Sequence, residues 1–157
     1  MNTLFSVPAA ILACALAGSA VAADNVRFSG TLISAPCKIN SIDVDFGTRV
    51  VTDVPAGKVA QTVNYTMSCT GALPGKSLKM RITGTGAGFD SQALKTSIAA
   101  LGIKMQADGV VYPLNSSLSF ASPTARPALK ALLVQQAGAR LPTGGFTATA
   151  TMMVDYQ

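Results

Sequence analysis

The sequence contains no histidine, no tryptophan and no glutamate, and all seven of its acidic residues are aspartates. Without imidazole there is no Ser-His-Asp or Cys-His nucleophile, no His-ligated zinc and no HExxH protease. Without glutamate a common general base is gone as well. Charge is also scarce: 12% of the 157 residues are charged, about half the quarter usual in a soluble domain. A chain of this length makes one domain. It is read as a non-enzyme, with no catalytic, cofactor or metal residues expected.

Residues 1–22 carry no charged side chain, and Leu4 to Ala17 is almost wholly apolar. The stretch ends in Gly18-Ser19-Ala20-Val21-Ala22, where Ala20 and Ala22 form the small-residue A-x-A pattern that signal peptidase accepts. A signal peptide over 1–22 follows, with the mature chain starting at Ala23 or Asp24. The apolar run is shorter than a membrane span and is interrupted by Pro8, so no stable membrane insertion of the mature chain is expected. Met1–Ala10 lacks the Lys or Arg that usually precedes such a run, which raises the question of an upstream start codon. Ile11-Leu12-Ala13-Cys14 only faintly resembles a lipoprotein box; cleavage there would leave apolar residues at the mature end.

The 12 basic residues give a net charge of +5 but are scattered singly or in pairs, with no basic run. That pattern is a solvated surface, and no nucleic-acid partner is expected. Of the three cysteines, Cys14 leaves with the signal. Cys37 and Cys69 remain as an even pair in an exported chain, which reads as one disulfide; free thiols or half a metal site are the alternatives.

Period-two alternation fills the rest. Val59, Gln61, Val63, Tyr65, Met67 and Cys69 share one strand face, as do Leu78, Met80 and Ile82, and Leu101, Ile103 and Met105. The last run is the most regular: Phe146, Ala148, Ala150, Met152, Val154 and Tyr156 on one face of a strand over 146–156. Pro55-Ala56-Gly57, Leu73-Pro74-Gly75, Ser122-Pro123 and Pro142-Thr143-Gly144-Gly145 mark loops. Asp108-Gly109 predicts a tight hairpin. A short helical turn is expected over Gln92–Ala100. Gly84-Thr85-Gly86-Ala87-Gly88 lacks phosphate-loop spacing and reads as a flexible loop. Asp43 and Asp45 are too few oxygen ligands for calcium and read as a solvated strand face. Many short strands and frequent turns predict an all-β sandwich.

Near the mature start, Val26, Phe28, Gly30 and Leu32 fall on one face of an extended segment. A glycine there leaves nothing to pack, which suits close approach of another backbone or a bulky side chain. These features together resemble a pilin subunit of chaperone–usher fimbriae, of the type 1 and P-pilus kind. The resemblance covers the whole chain: signal peptide, arm with Gly30, Cys37 in Gly30-Thr31-Leu32-Ile33-Ser34-Ala35-Pro36-Cys37, Val44-Asp45-Phe46-Gly47, Cys69 at a strand end, Gly144 fourteenth from the end, and the penultimate aromatic Tyr156.

The resemblance implies an incomplete immunoglobulin-like β-sandwich that lacks its final strand. It implies a signal peptide over 1–22, a donor-strand extension over 23–35 and a pilin domain over 36–157. A periplasmic chaperone would first supply the missing strand, and an outer-membrane usher would then exchange it for a neighbouring subunit's arm. Val26, Phe28, Gly30 and Leu32 would enter the neighbour's groove. Gly144, Phe146, Ala148, Ala150, Met152, Val154, Tyr156 and Gln157 would form the acceptor and chaperone-binding strand. The product would be a surface fimbrium supporting cell adhesion, with this chain a shaft or, by a slight preference, a minor or adaptor subunit. The rival expectation is a monomeric periplasmic or secreted β-sandwich that binds a ligand and is complete in itself.

Overall fold

The structure is a computed structural model describing residues 37–69 and 75–157. The expected signal peptide and the arm bearing Val26, Phe28, Gly30 and Leu32 lie outside the described residues. Eleven strands follow in chain order: β1 Cys37–Ile39, β2 Ala60–Val63, β3 Met67–Cys69, β4 Leu78–Thr83, β5 Gly86–Ala87, β6 Asp90–Lys95, β7 Leu101–Ala107, β8 Val110–Tyr112, β9 Ser117–Phe120, β10 Leu129–Gln135 and β11 Thr151–Tyr156. Short 3-10 turns lie at Val51–Asp53 and Pro123–Ala125. No α-helix occurs among the described residues, and none there is long and apolar enough to cross a membrane.

The strands form a six-stranded sheet built on the path β2-β10-β7-β6-β5 with β8 on β7, a three-stranded sheet β11-β4-β9, and the pair β1-β3. All the pairings are antiparallel. Alternation explains the layers. Leu78, Met80 and Ile82 of β4 are buried while Lys79 and Arg81 are exposed. On the other sheet Leu101, Ile103 and Met105 of β7 and Leu129, Ala131 and Leu133 of β10 face them in one core. Leu78 and Met80 are fully buried, and Leu129 nearly so. Such packing is where most of the apolar stabilisation resides.

The expected strand over Val59–Cys69 keeps its alternation but divides between two sheets. β2 pairs with β10, and β3 pairs with β1 through Cys37 opposite Cys69. Asn40 pins the crossover: its side-chain oxygen accepts from the Thr66 N–H at 2.6 Å and from the Thr66 hydroxyl at 3.0 Å. Cys37 and Cys69 are joined in a disulfide. The Asp108-Gly109 hairpin joins β7 to β8, with φ of +50° and +81° at the two turn residues, the left-handed pair that a two-residue hairpin needs.

Two local expectations are corrected. Gln92–Ala100 is not a helical turn: Gln92–Lys95 belongs to β6, and the chain turns only after Thr96, whose hydroxyl bonds to the Leu101 and Ile98 carbonyls. Leu94 pairs with Gly86 of β5 and Ile103 of β7, and this ladder outweighs a weak helical preference. Part of the Gly84–Gly88 stretch is likewise strand β5, in a bulged pairing with β6. A Cβ on Gly86 would meet the Ser91 carbonyl at 2.9 Å, so the glycine permits close backbone approach.

Candidate strand-accepting groove

Among the described residues β11 is the edge strand of its sheet, bonded to β4 on one side only. The register is continuous from Thr151↔Thr83 to Tyr156↔Leu78. The expected strand over 146–156 is therefore laddered only in its second half. Residues 146–150 have no ladder neighbour among the described residues; the Thr147 carbonyl accepts from the Ser97 N–H at 2.8 Å, and the Thr147 N–H donates to Ser97 Oγ at 3.0 Å. The alternation nevertheless runs through. Met152, Val154 and Tyr156 turn inward, and Phe146, Ala148 and Ala150 continue the same face. Ala148 and Ala150 are exposed although they belong to the core-facing series.

Facing this wall is a second one that the sequence reading did not assign to the site. Ile42 and Val44 are half-buried and Phe46 is buried, while Ser41, Asp43 and Asp45 are exposed. The segment alternates like a strand but pairs with none among the described residues. At its end Gly47 adopts φ +60°, and its N–H donates to Asp45 Oδ1 at 2.7 Å. Arg49 Nε donates to the Phe46 carbonyl at 2.6 Å. The Ile42-Asp43-Val44-Asp45-Phe46 alternation was the available signal for this wall.

Two cavities of about 450 and 490 Å³ open here, the first between the walls and the second on the far side of Phe146, between 47–54 and 141–146. The first has Val63, Ile82, Leu94, Ile103, Met105 and Ala131 as its apolar floor, with Ala148, Ala150 and Met152 on one side. The second runs over Val54, Ile98, Leu101, Leu133 and Leu141 to Gly144. Phe146 lines both, and its ring lies 5.8 Å from that of Phe46, tilted by 50°. The two aromatics thus bridge the walls and divide one groove into two chambers. Gly144 sits at φ +128°, a conformation that side-chain-bearing residues rarely adopt.

The groove brings together Gly144, Phe146, Ala148, Ala150 and Met152. Val154 lies in the closed core, and Tyr156 and Gln157 lie beyond the cavities. The Tyr156 hydroxyl is buried without a hydrogen-bond partner among the described residues. The Gln157 N–H donates to the Ser77 carbonyl at 2.9 Å. No cluster able to hold a metal ion occurs among the described residues, and Asp43 and Asp45 are exposed at the mouth of the first cavity. The groove offers apolar surface and unpaired strand edges rather than reactive groups. A single extended chain would satisfy both.

The described residues thus form an antiparallel β-sandwich whose edge strand β11 flanks a groove that reaches the core. The chain belongs to the fimbrial protein family, which matches residues 26–157. It is 34% identical to the fimbrial-like protein YfcQ of Escherichia coli K12 over 155 residues, covering 93% of this chain and 96% of that one. It is 34% identical to YfcR of the same strain over 170 residues, covering 100% and 97%. The fold matches the P pilus rod subunit PapA (TM-score 0.59, 21% identity, 78% of this chain and 100% of that one). It also matches the P pilus adaptor subunit PapF (TM-score 0.58, 23% identity, 80% and 98%). These neighbours are structural parts of a fibre. The fold is therefore the incomplete immunoglobulin-like sandwich of pilins.

Proposed function

We propose that this protein is a structural subunit of a bacterial surface fimbrium, polymerised by strand exchange between subunits. The observation that carries the reading is the groove: exposed core-face residues Ala148 and Ala150 opposite the unpaired Ile42–Phe46 wall, over an apolar floor. In this reading residues 1–22 are removed on export, residues 23–35 are the donor arm, and residues 36–157 are the body that receives a neighbour's arm. Val26, Phe28 and Leu32 supply the apolar side chains, and Gly30 the close approach. Burying the three side chains contributes about 5–8 kcal/mol before ordering costs, and backbone pairing along β11 adds to it.

Before assembly the same open edge is an aggregation hazard. A periplasmic chaperone would cover it, with Tyr156 and the Gln157 carboxylate at the end of the strand it holds, and an outer-membrane usher would direct the exchange. The finished fibre supports adhesion at the cell surface. The rival reading, a self-sufficient ligand-binding sandwich, needs a closed core, and the open groove argues against it.

The test is removal of residues 23–35. The shortened chain should accept arms but donate none, so it should form no multimers alone and should cap those of the full chain. Multimers of the shortened chain with an unchanged length distribution would sink the proposal.

A further inference from the structure

Resting on that reading, we propose that an ion pair between Arg27 of an entering arm and Asp43 on the groove rim makes this groove selective for the arm of a second copy of this same chain.

A strand laid through both chambers must pass the bridging rings of Phe46 and Phe146, which stand 5.8 Å apart at their centroids. Inward side chains on a strand recur every two residues, about 6.7 Å apart. Of the four inward positions on the arm, only Gly30 lacks a side chain. Placing Gly30 at the bridge puts apolar residues on either side of it and so sets the register.

Charge then sets the direction. Arg27 is the only charged residue in 25–35, and the wall over 141–153 carries none. All the rim charge near the bridge therefore comes from the other wall. With the arm parallel to that wall and Gly30 level with Phe46, Phe28 falls beside Val44 and Val26 beside Ile42. Arg27 then lies level with Asp43, one residue from Asp45. Adjacent strands are about 4.8 Å apart, so the outward side chains at that level meet. With the arm reversed, Arg27 falls level with Arg49 and meets a like charge.

Asp43 is exposed, and the ion pair found among the described residues is elsewhere, between Lys104 and Asp90 at 2.8 Å. Asp45 is partly engaged by the Gly47 N–H and adds to the field. Arm and rim are thus complementary within one sequence, which makes a head-to-tail, open-ended contact between identical copies.

The test is the rate of multimer formation by the full mature chain, followed by size exclusion at 20 mM and 1 M salt. Arg27→Asp and Asp43→Arg should each slow assembly by about tenfold at low salt, because rim charges act mainly on association. The two combined should restore the parental rate to within about threefold, and at 1 M salt, where the screening length is about 3 Å, the differences should shrink. Should Asp43→Arg fail to fold, Asp43→Asn serves instead, and on it Arg27→Asp and Arg27→Ala should assemble equally fast. An Arg27→Asp chain that assembles at the parental rate in 20 mM salt, or a double reversal that stays slow, overturns the pairing while leaving the groove reading intact. A parental chain that forms no multimers overturns both.

Discussion

Replacing Cys37 and Cys69 by alanine should weaken the groove as well as the fold. The disulfide closes a loop with a sequence separation of 32, and a loop of that size corresponds to about 3.7 kcal/mol in the chain-entropy relation. It fastens β1 to β3 immediately before the Ile42–Phe46 wall, which has no ladder of its own. The next tie along that wall is the Asn40–Thr66 pair. Removing the bridge therefore releases one side of the strand-accepting site, at a cost of about a third of a typical domain's stability. Urea unfolding of the purified chain should show a loss of 3–4 kcal/mol. The amide hydrogens of Asn40 and Thr66, both bonded across this tie, should exchange much faster, while those of β7 and β10 should lose only what the global loss dictates. A loss below about 1 kcal/mol, or unchanged exchange at Asn40 and Thr66, would refute the claim that the disulfide anchors this wall.

Other perturbations separate fold from assembly. Gly30→Leu should block entry of the arm past the aromatic bridge while leaving chaperone capture intact; normal multimer yield would contradict the assigned role. Deleting Tyr156 and Gln157 should abolish capture by the chaperone, and an unchanged pull-down would count against it. Tyr65 is buried, its hydroxyl donates to the Pro127 carbonyl at 2.7 Å, and burial raises its pKa to about 12 despite nearby Arg126. A raised folded pKa favours the neutral phenol, so the associated stability is intact below pH 10 and lost as pH climbs towards 12, by about 2–3 kcal/mol. Tyr65→Phe should give up about 1 kcal/mol at neutral pH by losing the hydrogen bond and should flatten that alkaline decline in urea midpoints. A decline as steep as the parent's would assign it to other groups, of which Tyr112, also raised by burial, is the first to examine.

Much of the fold was legible because alternation reports burial directly. Leu78-Met80-Ile82 and Leu101-Ile103-Met105 pointed inward as their spacing predicts, and Asp108-Gly109 made its hairpin because positive φ is needed at both residues. What alternation does not carry is the identity of a strand's neighbour. Val59–Cys69 reads as one strand, but Asn40, 26 residues before Thr66, moves its second half to another sheet. Phe146–Tyr156 also reads as one strand, yet only 151–156 is laddered, since 146–150 borders the groove. Half of the candidate site was visible in that terminal run. The other half, Ile42–Phe46, was overlooked because five residues with two aspartates look like any exposed strand until Phe46 is seen against Phe146. The two-chamber division depends on that long-range contact.

The central claim is that the core of this subunit is completed from outside. It is tested most directly by thermal unfolding of the purified mature chain with and without a synthetic peptide of residues 23–35. The chain alone should show a weak, broad transition, and a sharp one at much higher temperature with the peptide but not with its Gly30→Leu version. A cooperative, high-temperature transition of the lone chain, unmoved by the peptide, would contradict it.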